Sequence, residues 1–317
     1  MTRIGTSDLD VLPLALGGNV FGWTADHDTS FAVLDAFVDG GGDFIDTADS
    51  YSSWVPGNEG GESETIIGEW LASRKPSGVV VATKVSQHPQ FRGLSGPNVR
   101  KAAEASLRRL GADEIDLYYA HFDDATVPLE ETVAAFGQLV EDGLVRHVAV
   151  SNYSAERIRE WIEIARRTGV AVPVAVQPHY NLVHRNEVED TIIPVAEEFD
   201  LGLVPYYALA SGFLTGKYRS TDSSEQDSPR AQGAAKYATE AGLRIIDALE
   251  QVADAHGTSV AATSLAWLRA QPTVVAPIAS ARTIAQVPDL LAGARLELSA
   301  EEVRLLDRVS EWTPAGA

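Results

Sequence analysis

Short apolar runs alternate along the chain with longer stretches in which apolar residues recur three and four positions apart. The apolar runs start near Leu14, Asp43, Val79, Ile115, Arg146, Val174, Leu203 and Val274. The first six start-to-start steps span 28–36 residues, each fitting one strand, one helix and their loops, and the seventh is 71. An insertion therefore lies between Tyr206 and Val274. The runs Val79–Lys84 and Ile115–Ala120 are apolar almost throughout instead of alternating, which suits parallel strands covered on both faces. The helical stretches carry their own punctuation. Ser154 stands as an N-cap ahead of Ile158, Trp161, Ile162 and Ala165; Pro97 suits a first turn; Gly111 closes the helix ending at Leu110.

Eight such units with no break in composition predict one domain over residues 1–317. The predicted fold is an α/β chain forming a (β/α)8 TIM barrel, with an N-terminal β-hairpin and an extra C-terminal helix. A doubly wound sheet is the alternative, but no G-x-G-x-x-G follows the first strand. Arg219–Gln232, rich in Ser, Asp and Gln, reads as a long surface loop. Ser299–Trp312 reads as the extra helix, with Ser299 capping and Glu302 three residues on.

Composition narrows the chemistry. The chain has no cysteine, which removes disulfides, thiolate metal sites and cysteine nucleophiles together. The formal net charge of −20 repels phosphate backbones and anionic lipid, so neither nucleic acid nor a membrane surface is an expected partner. The start, Met1–Gly5, has no apolar core of signal-peptide length, and no apolar run long enough to span a bilayer occurs; a cytoplasmic location is expected.

In a barrel, the loops at the C-terminal ends of the strands build the site. Polar or ionisable groups end six consecutive apolar runs here, at Asp46–Tyr51, Thr83–Lys84, His121, Ser151–Asn152, Gln177 and Tyr206. Asp46, Tyr51, Lys84 and His121 together suit acid–base work. Tyrosine, with an ordinary pKa near 10, is a poor donor at neutral pH. A buried ammonium from Lys84 is expected to lower that value, Asp46 to keep Lys84 charged, and His121 to hold a substrate oxygen. The set fits protonation of a developing alkoxide during carbonyl reduction. Barrel aldolases also place a Schiff-base lysine at a strand end, but Tyr51 and Asp46 beside Lys84 favour reduction. Ser151 with His121 lacks the strand–elbow–helix motif of a hydrolase. His179 and His184, five apart on a loop with no third ligand in view, read as surface or packing residues, and no metal site is expected. Trp161, Trp267 and Trp312 read as packing; Trp23, Trp54 and Phe122 are candidates for lining a substrate pocket.

These residues carry a resemblance. Asp46-Thr47-Ala48-x-x-Tyr51 with Lys84 and His121 resembles the catalytic tetrad of the aldo-keto reductases. Gly143–Tyr153 resembles that family's middle signature, Leu209-x-x-Gly212-x-Leu214-x-Gly216-Lys217-Tyr218 its cofactor loop, and Ile278–Val287 its C-terminal cofactor motif. The likeness runs from Arg3 to Trp312. Some ten residues, Ser52–Gly61, lengthen the loop after Tyr51, as in the long-loop bacterial reductases related to potassium-channel β subunits. The resemblance implies reduction of a small-molecule carbonyl by NADPH, bound without a Rossmann domain. Carried over position by position, it implies that Ser151, Asn152 and Gln177 hold the nicotinamide carboxamide. Tyr206 would stack on the nicotinamide ring, while Gly18, Asn19 and Val20 would approach it from the other side. Leu209, Gly212 and Lys217 would lie along the pyrophosphate. Ser280, Arg282 and Gln286 would take the 2′-phosphate and adenine, and Asp46, Tyr207, Ala208 and Asp289 are further cofactor-binding candidates. Departures are Tyr207-Ala208 where the family often has Ser-Pro, Ala149 and Ser280 where glycine is common, and Leu290 where an asparagine often binds adenine. The same resemblance admits a second function, a nucleotide-sensing regulatory subunit with little turnover.

Overall fold

The fold follows from side-chain alternation along strands buried on both faces. We describe it from a computed structural model, in which residues 1–219 and 231–311 are described. Strand β5 (Val80–Val85) is buried throughout, and its residues divide by parity between two apolar clusters. Val80 and Ala82 belong to the inner cluster, with Ala15, Phe44, Leu117, Tyr119 and Ala149. Val81 and Val85 belong to the outer one, between strands and helices. The even parity puts Lys84 on the inner face.

The preceding elements are a two-stranded hairpin, β1 (Thr2–Arg3) and β2 (Asp10–Val11), then β3 (Ala15–Gly17), α1 (His27–Asp39), β4 (Phe44–Asp46) and α2 (Glu62–Arg74). After β5 come α3 (Gly96–Leu110), β6 (Ile115–Ala120), α4 (Leu129–Glu141), β7 (Val145–Ser151), α5 (Ala155–Thr168), β8 (Ala175–Gln177), α6 (Ile193–Phe199) and β9 (Gly202–Leu203). The long last step holds α7 (Ala231–Ala235), α8 (Glu240–His256) and α9 (Val260–Arg269) before β10 (Ile278–Ala279). Helices α10 (Val287–Arg295) and α11 (Ala300–Val309) follow.

The eight strands β10-β3-β4-β5-β6-β7-β8-β9 pair in parallel in that order. The ring closes through backbone bonds from Leu203 N to Thr273 O, Val275 N to Leu203 O and Ile278 N to Pro205 O, each 2.8 Å. This is the expected (β/α)8 barrel. The hairpin's Ile4, Leu9 and Val11 join the inner cluster and plug one end. Gly5, at φ +51°, is needed there, since a Cβ would lie 2.1 Å from the Val174 carbonyl.

The caps fall where the sequence puts them. Ser154 Oγ accepts from Arg157 N, Gly111 adopts φ +64°, and Ser299 with Glu302 forms a full capping box on α11. One boundary differs. The run from Val274 meets β9 only as a bridge, and regular pairing with β3 begins at Ile278, past Pro277. After Thr283 the chain makes a 3-10 turn over Ile284–Gln286 and becomes α-helical at Val287, with Pro288 in its first turn. Of the expected surface loop, 220–230 lies outside the described residues, and α7 starts at Ala231. Trp312 also lies outside them; Trp161 and Trp267 are buried.

Candidate active site

At the C-terminal end of the barrel, β4 and β5 bring Asp46 and Lys84 together. Lys84 Nζ donates to both Asp46 carboxylate oxygens, at 2.8 and 2.7 Å, and to Thr47 O at 2.6 Å; it lies 3.2 Å from Tyr51 Oη. Asp46 and Lys84 are buried. The Asp46 position is fixed further by Gln177 Nε2, which donates to it at 2.9 Å. His121 completes the group, its ring 6.1 Å from that of Tyr51, with Nδ1 buried and without a hydrogen-bond partner among the described residues.

The electrostatics correct one expectation. The Tyr51 hydroxyl is pushed well above the phenol range by desolvation, and the charge of Asp46 pushes the same way. The neighbouring ammonium does not reverse this, because the Asp46 carboxylate holding it offsets much of its field. Lys84 is itself lowered, by burial, against the pull of Asp46. Burial, with Lys84 second, holds His121 well below the usual imidazole range, so it is neutral at neutral pH. Tyr51 therefore keeps its proton, with the Lys84 Nζ 3.2 Å from its oxygen. Asp49, three residues beyond Asp46, is also buried, and burial, with the charge of Glu64 second, raises its pKa well above the carboxylate range.

A second chain of bonds ties the ends of β7 and β8 to the same carboxylate. Tyr206 Oη donates to Asn152 Oδ1 at 2.7 Å; Asn152 Nδ2 donates to His121 O and Ser151 Oγ; Ser151 Oγ donates to Gln177 O. Asn152 holds φ +56°, a left-handed conformation that asparagine tolerates better than most residues.

These groups open into a cavity of about 700 Å³ that continues past Tyr206 and Lys217 to Arg282. Tyr51, His121, Asp46, Ser151, Asn152, Gln177, Asn19, Tyr206, Tyr207, Ala208, Leu209, Gly212, Lys217, Ser280, Arg282, Gln286 and Asp289 line it. Gly18 and Val20 do not. Val20 is fully buried in the outer core, and Gly18 packs against Ser63, whose hydroxyl donates to Gly18 O at 2.8 Å. Gly17 lines the wall in their place, where a Cβ would lie 2.6 Å from Ser280 Oγ. Lys84 stands behind the wall and reaches the cavity through Tyr51. Trp54 and Phe122 line the mouth, at 51% and 41% exposed, and Tyr207 joins them at 53%. Trp23 meets Trp54 edge-on at 5.6 Å and backs it from outside the lining.

Sequence reasoning missed Gln87, Ser211 and Ser259 in the lining. Ser259 had a signal, since it caps α9 ahead of an apolar run, its Oγ accepting from Ala262 N. Ser211 fell at an unassigned position inside the Leu209–Tyr218 motif, and Gln87 sits in an irregular segment without a signal. At the far end Arg282 N donates to Gln286 Oε1 and Ser280 Oγ to Asn19 Oδ1, both at 2.7 Å. The Arg282 guanidinium is in no ion pair among the described residues.

The long loop is held at several points. Ser52 Oγ donates to Phe21 O, and Asn58 Nδ2 to Gly22 O and Ser52 O. Beyond it, Ser63 Oγ accepts from Thr47 Oγ1, while Glu64 pairs with Arg109 at 2.6 Å and accepts from Thr83 Oγ1.

Among the described residues no helix is long and apolar enough to cross a membrane, and no group of three side chains suits a metal ion. Comparison with known proteins agrees with the barrel. The chain is 34% identical over 289 residues to a "Probable voltage-gated potassium channel subunit beta" of Oryza sativa, covering 88% of this chain and 86% of that one. It is 31% identical to "Uncharacterized oxidoreductase YrpG" of Bacillus subtilis, covering 97% and 95%. It is 32% identical to "Norsolorinic acid reductase stcV" of Emericella nidulans, covering 92% and 76%. A profile described as the aldo/keto reductase family matches residues 13–311, and the chain belongs to that family.

Proposed function

We propose that the chain is an NADPH-dependent oxidoreductase that reduces an aldehyde or ketone to an alcohol, with Tyr51 as general acid. The observation that carries this reading is the Asp46–Lys84–Tyr51 contact series at the inner end of a cavity that continues to Arg282. The lining suits a nicotinamide dinucleotide. Gln177 keeps an amide oxygen and one N–H for a carboxamide, Tyr206 offers a ring, and Lys217 and Arg282 are cations for phosphates. A reduced nicotinamide supplies the hydride.

The protein's own part is to place and protonate the carbonyl. His121, neutral and lining the cavity beside Tyr51, offers its Nε2 to the substrate oxygen. Tyr51 donates its proton as that oxygen becomes an alkoxide, which is far more basic than a phenolate. The nascent phenolate then accepts a bond from Lys84, whose charge Asp46 maintains. The exposed rings of Trp54, Phe122 and Tyr207 at the mouth favour a bulky apolar carbonyl over a small polar one. A single soluble barrel acting in the cytoplasm on a small molecule, with neither nucleic acid nor membrane as partner, accords with the charge and the composition.

The likeness to a channel β subunit supports one second reading, a nucleotide-sensing subunit in which binding matters more than turnover. A panel of carbonyls and alcohols run with NADPH, NADP⁺, NADH and NAD⁺ tests both. Sustained NADPH consumption with a carbonyl supports the reductase; tight NADPH binding with no turnover on any substrate overturns it in favour of the sensor.

A further inference from the structure

Behind Tyr206, on the side away from the cavity, the protein stacks two imidazoles. A parallel bridge pairs His179 with Tyr206, and Tyr206 N donates to Pro178 O at 3.0 Å. The two rings lie 5.4 Å apart with planes 23° from parallel. The chain then reverses within four residues. Asn181 and His184 exchange backbone bonds of 3.2 and 2.9 Å, and Asn181 Oδ1 accepts from Val183 N. This reversal lays His184 on His179 at 3.9 Å and 10°. Asn181 Nδ2 also donates to Tyr207 O, tying the turn to the segment that carries Tyr206. Neither histidine lines the cavity.

The stack requires uncharged rings, because two imidazolium ions at this spacing repel. Burial lowers His179 to about 4 and His184 in the same direction. Lys236 adds positive charge near both, and Glu187 opposes it at His184. Both rings are thus neutral at neutral pH. Tyr206 is held by its hydroxyl at Asn152, by its back face at His179, and by a tilted ring contact with Tyr207 at 5.3 Å. The hydroxyl bond alone leaves the ring free to rock about the line from Cβ to Oη; a ring against its back face removes that freedom.

We propose that His179 and His184 are positioning residues for the nicotinamide, fixing the tilt of Tyr206 without touching the cofactor. The proposal rests on the reading above that the nicotinamide stacks on Tyr206. The column then continues as His184, His179, Tyr206 and nicotinamide, each ring set by the one behind it.

The test is to titrate NADPH and NADP⁺ by fluorescence into the wild-type chain, His179→Leu and His179→Phe, and to measure kcat and KM for one carbonyl. Leucine fills the space without a flat face; phenylalanine restores the face without the nitrogens. The expected result is that His179→Leu binds both nucleotides roughly two- to tenfold more weakly, the worth of one aromatic pair. Its kcat should fall with the loosened alignment, and His179→Phe should recover most of both. Wild-type affinity in His179→Leu, or a phenylalanine variant no better than the leucine one, overturns the proposal. If His179→Leu does not fold, His184→Leu and His184→Phe make the same comparison one ring further out, with the same criteria. NADPH failing to bind the wild-type chain overturns the cofactor reading, and this proposal with it. Normal wild-type binding with an unaffected leucine variant overturns this proposal alone.

Discussion

Replacing Asp46 with Asn keeps the side chain's shape and removes its charge. In the native chain that carboxylate accepts two bonds from Lys84 and one from Gln177, all inside the barrel. The amide offers Lys84 one neutral oxygen, and its NH2 group turns a donor toward the ammonium. Lys84 retains Thr47 O and the weaker contact to Tyr51. Removing one partner of a buried ion pair costs about 3–5 kcal/mol. At roughly 2 °C of Tm per kcal/mol for a chain of this size, the melting point should drop by roughly 6–10 °C at pH 7.

The pH dependence is the sharper signature. Burial already holds Lys84 below the ordinary lysine range, and losing Asp46 lowers it further. Below the folded value both states carry the proton and the full penalty stands. Between the folded value and the unfolded one, about 10.4, the unfolded chain binds a proton that the folded chain does not, so the variant's stability rises with pH. Its Tm deficit against wild type should therefore shrink between pH 7 and about 9.5, a range set by that window. Turnover at pH 7 should fall by roughly a hundredfold or more, because the phenolate loses its fixed cation. Thermal melts at the two pH values and a steady-state assay decide it. A deficit under about 1 kcal/mol, well short of a broken buried pair, or one equal at both pH values, would refute the argument that Asp46 keeps Lys84 charged.

Three further outcomes follow from the same site. Tyr51→Phe should lose roughly a hundredfold or more in kcat with little change in NADPH affinity; near-normal turnover would remove Tyr51 from the proton-donor role. Arg282→Ala should weaken NADPH by about 1.5–3 kcal/mol, roughly ten- to a hundredfold, and barely alter NADH. Equal losses in titrations of the two nucleotides would mean that Arg282 supports the fold instead of reading the 2′-phosphate. Trp54→Ala should raise KM for bulky apolar carbonyls more than for small ones, and a uniform effect across a substrate series would return Trp54 to loop packing.

The strands and helices were legible where one local rule sufficed. The apolar runs at Val79 and Ile115, the cap at Ser154, Pro97 and Gly111, and the Ser299–Glu302 box each rest on a few adjacent residues, and the structure keeps them. Boundaries set by distant partners were not. The run from Val274 is apolar enough for a strand, yet regular pairing waits for Ile278, where β3 comes alongside. The turn after Thr283 has helical composition, yet Gln286 folds its side chain back onto Arg282 N and the α-helix starts only afterwards. That Asp46, Tyr51, Lys84 and His121 come together could be read from strand ends, but the direction of the Tyr51 shift could not. That sign depends on how far burial and the Asp46 charge outweigh Lys84, and the balance exists only in three dimensions. Gly18 and Val20 show the same limit: proximity in sequence to the first strand end did not say which of Gly17 to Val20 would face the cavity.

The loop from Ser52 to Gly61 joins two ends that are fastened independently of it. On one side Asp46 and Thr47 are fixed by Lys84 and Ser63; on the other Glu64 is fixed by Thr83 and Arg109. Thr83 and Lys84 are neighbours on β5, one bound to the helix outside the barrel and the other to the carboxylate inside it. A single strand thus registers both borders of the loop. The intervening segment carries Trp54 to the mouth, and its own ties run to the turn after β3, from Ser52 to Phe21 O and from Asn58 to Gly22 O. A change of side chain at Trp54 therefore alters the mouth while both borders of the loop keep their fastenings on β5.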